Sequence, residues 1–352
     1  MEFSLDKLIQ PAIRDFKPYE AKNYPGVIKL DANENPFAWP EGLKERILDQ
    51  VGFNRYPDPE AKNLRDKISG YTGVYFDNIM VGNGSDELIQ MLLMAFGGVG
   101  TKTVVATPTF TMYSLATRYT GGQVVEVPLT NGDTLNVEGM LQAAADPAVR
   151  LVIICNPNNP TGNAFPLADI KRVIEGTDKL VIVDEAYFEF AGNTLAGELN
   201  SYPNLVVLRT FSKAFGMAGL RIGYLMAGLP VINVLQRVRQ PYNSNTFSQM
   251  AGVCALEFLP QFQNQVEQIL AERDRLLSFL QGLKLERVYA TDANFILFKP
   301  VGLAQQLFQR LLEEKVLIRY MGKLPVVGET LRVSVGLHAE NSQFIETLSA
   351  LM

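Results

Sequence analysis

One histidine, His338, serves a chain of 352 residues, and Cys155 and Cys254 are its only thiols. His338 lies in Gly336-Leu-His-Ala-Glu-Asn341, a pattern of a turn before a helix, where it is expected to be solvated or capping. That placement removes most hydrolase readings in which imidazole acts as base, and a lone imidazole builds no zinc site. Two cysteines make no disulfide framework or metal set. Cys155 ends an apolar run and reads as a small core residue. No apolar stretch reaches the 18 or so residues that a membrane span needs, and no block of like charges forms a tail. The amphipathic start, MEFSLDKLIQ, is interrupted by acids and does not resemble a signal peptide. Acidic residues outnumber basic ones by 37 to 32, which argues against nucleic-acid or membrane-surface partners. A reduced, cytoplasmic setting is the expectation, with no metal.

What remains is an ordinary globular composition, 47% hydrophobic and 20% charged, long enough for about two domains of roughly 150 residues. Short apolar runs recur at Ile79–Val81, Thr103–Ala106, Gln123–Val127, Leu151–Cys155, Leu180–Val183, Leu205–Leu208 and Ile222–Met226. Most are continuous rather than alternating, as strands covered on both faces require. Helical patterns at Asp86–Phe96, Thr111–Tyr119, Val137–Ala145 and Leu167–Glu175 separate several of them. This alternation predicts an α/β domain with a mostly parallel seven-stranded sheet flanked by helices. From about Asn245 the pattern changes to a long helical stretch, Phe247–Leu283, broken at Pro260. Shorter strands (Asn294–Phe298, Val316–Arg319, Thr330–Ser334) and helices (Leu303–Glu314, Glu340–Leu351) follow. The expected division is an N-terminal segment over 1–45 packing with the small domain, a large domain over 46–245, and a small α+β domain over 246–352.

The densest chemistry lies in Arg209-Thr-Phe-Ser-Lys-Ala-Phe-Gly-Met-Ala-Gly-Leu-Arg-Ile-Gly223. The amine of Lys213 can form a Schiff base, while Ser212 and the guanidinium of Arg221 suit a phosphate. Pyridoxal phosphate is a ligand with both groups. In open α/β sheets, ligands bind beyond the carboxyl ends of the strands, and three runs here end in polar residues. Leu151–Cys155 leads to Asn156-Pro-Asn-Asn-Pro-Thr-Gly162, Leu180–Val183 to Asp184-Glu-Ala-Tyr187, and Leu205–Leu208 to Lys213. Asp184 ends an otherwise uncharged strand and either pairs with a protonated pyridine nitrogen or caps a helix over Glu185–Phe190. Tyr187 and Asn159 can reach the ring's 3-oxygen; Asn159 also suits turn chemistry. Gly84, Ser85 and Asp86 open a helix whose N-terminal N–H groups favour an anion, or form a plain capped helix start. Phe110 is either a stacking partner for the ring or core. Arg319 and Arg332 interrupt apolar strands and hint at an anionic partner.

Together these segments resemble the fold type I pyridoxal-phosphate enzymes, the aspartate aminotransferase superfamily, and within it the histidinol-phosphate aminotransferases. The pattern runs through Asp31-Ala-Asn-Glu-Asn-Pro-Phe37, Arg55-Tyr-Pro-Asp-Pro59, Pro157–Gly162, Asp184–Tyr187, Arg209–Tyr224, Pro241-Tyr-Asn243, Ala293–Leu297 and Leu331–Gly336. The resemblance implies that Lys213 holds the cofactor and shuttles the substrate proton. It also implies that Asp184 pairs with the pyridine nitrogen, that Tyr187 and Asn159 bind the 3-oxygen, and that Ser85, the Asp86 backbone, Ser212 and Arg221 bind the phosphate. Tyr56 is implied to reach the phosphate of a neighbouring subunit, making a homodimer part of the active site. Arg332, with Arg319, Tyr19 and Asn33, is implied to hold the phosphate end of the substrate. Phe110 stands where relatives often carry Tyr. The implied reaction is transamination between L-histidinol phosphate and 2-oxoglutarate, giving glutamate, in histidine biosynthesis. An aromatic amino-acid aminotransferase, a threonine-phosphate decarboxylase and a non-catalytic cofactor-binding module are the alternatives left open by the residues.

Overall fold

The computed structural model describes residues 24–352 together with 3–5, 8–10, 13, 14 and 16. The strands in chain order are β1 (Ile28–Lys29), β2 (Ile79–Asn83), β3 (Lys102–Thr107), β4 (Gln123–Pro128), β5 (Val149–Cys155), β6 (Leu180–Asp184), β7 (Leu205–Thr210), β8 (Ile222–Ala227), β9 (Leu285–Val288), β10 (Phe295–Pro300), β11 (Val316–Leu317), β12 (Arg319–Leu324) and β13 (Gly328–Ser334). All seven expected strands of the first half join one sheet, in the order β2-β8-β7-β6-β5-β3-β4. Every ladder is parallel except the two that flank β8.

The continuous apolar runs have the predicted consequence. Both β7 and β8 are buried over all six residues. Because side chains alternate across a strand, neighbours serve different cores. Val104, Val181, Val183 and Val207 belong to the cluster on one face; Val105, Ile182, Val206 and Leu208 belong to the other. The helices Gly84–Phe96, Met112–Tyr119, Val137–Ala144 and Leu167–Glu175 match the four expected within two residues.

The direction of β8 decides where the chemistry falls. Since β8 runs against β7, the loop joining them leaves and re-enters at the edge where β5, β6 and β7 end. Since β2 runs against β8 in turn, β2 also ends at that edge. Lys213, the Asp184–Tyr187 turn, the Asn156–Gly162 loop and the helix N-terminus at Gly84 therefore share one rim.

The second half forms a four-stranded antiparallel sheet, β12-β13-β10-β9. The long helical stretch breaks as expected: Thr246–Glu257 ends at Phe258, and Leu259–Gly282 begins with Pro260 at its second position, where the missing N–H costs nothing. The N-terminal segment adds β1 to β11 in a two-stranded parallel ladder, and Ser334 N donates to Leu30 O. Three helices (Leu43–Leu48, Lys62–Thr72, Leu229–Leu235) and β9 had no counterpart in the sequence reading. The first two lack side-chain N-caps, so their starts carry little signal. His338 begins the last helix and is exposed, with Nδ1 2.7 Å from Glu272 Oε1. It is solvated, as one of the two expectations had it, and partnered, while the N-cap position falls on Leu337. Among the described residues, no helix is long and apolar enough to cross a membrane.

Candidate active site

Lys213 follows β7 after two buried residues, Phe211 and Ser212. Its amine donates to Ala32 O at 3.1 Å and lies 5.7 Å from the centroid of the Tyr187 ring. Burial, reinforced by the positive charge of Arg332 and Arg221 against the opposite pull of Glu34 and Asp86, pushes its pKa down to about 8. A sizeable fraction is then the neutral amine near neutral pH, the form that acts as nucleophile and base. Two residues from the N-terminal segment hold this loop. Asn35 Nδ2 donates to Ala214 O at 2.8 Å and Trp39 Nε1 to Gly216 O at 2.9 Å. A cleft of about 280 Å³ opens beside it, lined in part by Glu34, Asn35, Ser212, Gly216 and Ser334.

Asp184 ends β6 and is 2% exposed. The Tyr113 hydroxyl donates to Oδ2 at 2.7 Å and the Ala186 N–H to Oδ1 at 3.1 Å. Among the described residues no cation comes within ion-pair distance of it. Burial, partly offset by those two donors, raises the carboxyl to about 6. The Ala186 contact belongs to a turn, since the helix that follows begins only at Phe188. Asp184 is thus not the N-cap of a helix over Glu185–Phe190. Phe110 packs edge-on to Tyr113, with centroids 5.5 Å apart.

The Tyr187 hydroxyl is buried and meets two amides: Asn33 Nδ2 at 3.0 Å and Asn159 Nδ2 at 3.3 Å. Burial raises its pKa further above that of an ordinary phenol. Asn159 Oδ1 accepts from Arg332 Nη1 at 2.7 Å, and Arg332 Nη2 donates to Asp31 O at 2.8 Å. Asn33 adopts a left-handed conformation, φ 54°, which Asn tolerates better than most residues. Its N–H donates to Ser334 Oγ at 2.8 Å, and Asn294 donates to its carbonyl. Arg319 stands directly across the ladder from Arg332.

The rim also carries an arginine–aspartate pair at a helix start. Arg221 closes a 3-10 turn in the left-handed region, φ 53°, and its Nη2 lies 2.8 Å from Asp86 Oδ2. The guanidinium lies over Gly84, where a Cβ would come within 2.7 Å of Nη2 and where φ is +78°. Only glycine leaves this helix start open to an anion. Ser212, 6% exposed, accepts from Thr210 Oγ1 at 3.0 Å.

The expected residues therefore fall on one rim: Tyr187, Asn159, Asn33 and Arg332 are joined by hydrogen bonds and Lys213 faces the Tyr187 ring, with Asp184 at a neighbouring strand end and Gly84, Ser85, Asp86, Ser212 and Arg221 on the same edge. Tyr56 stands outside it within this chain. It is 81% exposed and stacks on Tyr242 at 4.5 Å between centroids. Tyr19 lies outside the described residues. Sequence reasoning missed Tyr113, Trp39 and the buried pair Glu185–Arg209. Trp39 had one legible signal: it is the chain's only tryptophan, and a half-buried indole N–H seeks an acceptor.

A mostly parallel sheet whose rim presents a lysine, a carboxylate without a cation and an arginine at a helix N-terminus is an arrangement that suits a group-transfer enzyme. Residues 25–348 match the model of the family described as aminotransferase class I and II, and the chain belongs to that family. Over its whole length it is 46% identical to the histidinol-phosphate aminotransferase of Desulfitobacterium hafniense, covering 99% of that protein. The crystal structure of the histidinol-phosphate aminotransferase from Clostridium acetobutylicum superposes with a TM-score of 0.84 at 26% identity, over 92% of this chain and 98% of that one. That of Sinorhizobium meliloti, solved in complex with pyridoxal-5'-phosphate, shares the fold with a TM-score of 0.90 at 24% identity, over 100% and 99% of the two chains.

Proposed function

We propose that this protein transfers the amino group of L-histidinol phosphate to 2-oxoglutarate, with pyridoxal phosphate as its cofactor. The observation that carries the reading is the buried amine of Lys213, 5.7 Å from the Tyr187 ring, on the same sheet edge as a buried carboxylate, Asp184, that has no cation within ion-pair distance. The residues fit the cofactor at both ends. Asp184 lacks a positive partner that a protonated pyridine nitrogen supplies, and the bare Gly84 leaves the helix start and Arg221 open to a phosphate. When bound, pyridoxal phosphate supplies a carbonyl for the amine and an electron-poor ring that stabilises negative charge at the substrate α-carbon.

The chain's own groups then have distinct tasks. Asp184 binds the ring nitrogen in its charged form. Tyr187 and Asn159, which already meet, bind the ring oxygen, and Phe110 covers the ring. Ser85, the Asp86 N–H, Ser212 and Arg221 bind the cofactor phosphate; the Asp86 carboxylate holds the Arg221 guanidinium in place. Lys213 Nζ would take up and hand on the α-proton of the substrate, as a base with a pKa near the working pH does best. Arg332, Arg319, Asn33 and Tyr19 receive the phosphate end of histidinol phosphate and the carboxylates of glutamate and 2-oxoglutarate.

The active enzyme is a cytoplasmic homodimer in this reading, divided into the segment, large domain and small domain expected from sequence. The exposed Tyr56–Tyr242 stack supports a second copy there, with Tyr56 reaching the neighbouring site. Mixing the cofactor-loaded protein with histidinol phosphate, glutamate, phenylalanine or threonine phosphate tests the proposal. The expected result is rapid loss of visible cofactor absorption with histidinol phosphate and glutamate, without carbon dioxide. A stronger response to phenylalanine, or carbon dioxide from threonine phosphate, would replace the assigned substrate.

A further inference from the structure

Immediately behind Asp184 lies an ion pair that the reaction itself does not use. Glu185 and Arg209 have side chains 0% and 3% exposed, 2.9 Å apart at their closest atoms. Arg209 Nε donates to Glu185 Oε2 at 3.0 Å, and its Nη2 donates to Thr194 Oγ1 at 2.6 Å. Thr194 Oγ1 donates in turn to Glu185 Oε2 at 2.7 Å, closing a ring of three residues. The second carboxylate oxygen accepts from Leu195 N at 2.7 Å. The guanidinium also lies 3.5 Å from the centroid of Phe188, the residue after Tyr187.

A buried ion pair gains little over well-packed apolar side chains of the same volume, so stability alone is a weak reason for it. Its location supplies another. Glu185 adjoins Asp184, and its N–H donates to Leu208 O across the end of the β6–β7 ladder. Arg209 lies in β7, four residues before Lys213. The pair therefore ties the turn carrying Asp184 and Tyr187 to the strand that delivers the amine. Loss of the guanidinium would leave Glu185 and Glu189 facing one another without a cation; burial already lifts the Glu189 carboxyl to about 7.

We propose that Glu185 and Arg209 are positioning residues for this site: their buried pair fixes the spacing between the Asp184–Tyr187 turn and Lys213. The inference rests on the cofactor reading above, and two variants test it. Arg209→Lys keeps the buried charge but loses the planar fork. The double variant Glu185→Leu/Arg209→Met removes both charges at similar volume, so neither is left orphaned. Each is loaded with pyridoxal phosphate and followed by three readouts: the pH midpoint of the visible cofactor absorption, cofactor affinity by titration, and the separate kcat and KM. A positioning role predicts a displaced pH midpoint in both variants. It also predicts a kcat lower by up to about 100-fold in the double variant, the scale of an ångström-sized misplacement. KM should change little, and Arg209→Lys should retain part of the rate. Wild-type midpoint and kcat in variants that fold and bind cofactor would reduce the pair to packing and overturn the proposal. A wild-type protein that takes up no cofactor would overturn the underlying reading instead, and the proposal with it.

Discussion

Asp184 and Glu185 are consecutive buried carboxylates with opposite electrostatic circumstances. Glu185 has the guanidinium of Arg209, a hydroxyl and a backbone N–H. Asp184 has only a tyrosine hydroxyl and a backbone N–H, and burial outweighs both and raises its carboxyl to about 6; burial raises the Glu185 carboxyl as well, against the pull of Arg209. A chain that supplies a cation to one acid and withholds it from its neighbour has left the second to be completed from outside. The first acid is self-contained, whereas in the proposed reading the second is completed by its ligand. The same asymmetry appears in the arginines: Arg209 is enclosed, while Arg221 is open to solvent over a bare glycine.

Removing each partner in turn breaks the comparison in ways that differ in size. The largest effect on folding is expected from Arg209→Met alone, which strands Glu185 as an unpaired buried charge. Denaturant unfolding should show a loss of roughly 3–5 kcal/mol. Asp184→Asn should do the reverse, leaving the stability of the cofactor-free protein unchanged or higher, because it removes a buried charge that has no partner. Its cost falls on the rate, by about 10²–10³-fold in kcat, the scale of one lost electrostatic contact to the developing charge. Equal stability losses in the two variants would erase the distinction.

A smaller effect sharpens the same contrast through pH. The folded Asp184 carboxyl holds its proton more tightly than the unfolded one, whose pKa is near 3.8. Its contribution to stability is therefore full below about pH 3.8 and is lost as pH rises through about 6. The loss is on the order of 3 kcal/mol in the cofactor-free protein. Thermal unfolding across these pH values should show the wild type losing stability relative to Asp184→Asn as pH rises. A difference between the two that does not change with pH would assign the titration to another group.

The seven strands of the large sheet were legible because their apolar runs are continuous, and Lys213, Asp184 and Asn159 because each sits at the end of such a run. What the sequence concealed lies in pairing. Nothing local joins Glu185 to Arg209, 24 residues apart, or Tyr113 to Asp184; both meetings depend on which strands become neighbours. The helix over Lys62–Thr72 begins after Ala61 in a left-handed conformation without a side-chain cap, so its start left no signature. Asp184 looked equally suited to cap a helix or to bind a ligand, and the helix beginning only at Phe188 excludes the first.

The most direct test of the whole account is to load the protein with pyridoxal phosphate, reduce it with borohydride and map the modified peptide by mass spectrometry. The buried amine that shares the rim with Asp184 predicts a single modification, on Lys213. A modification on any other lysine, or none, would contradict it.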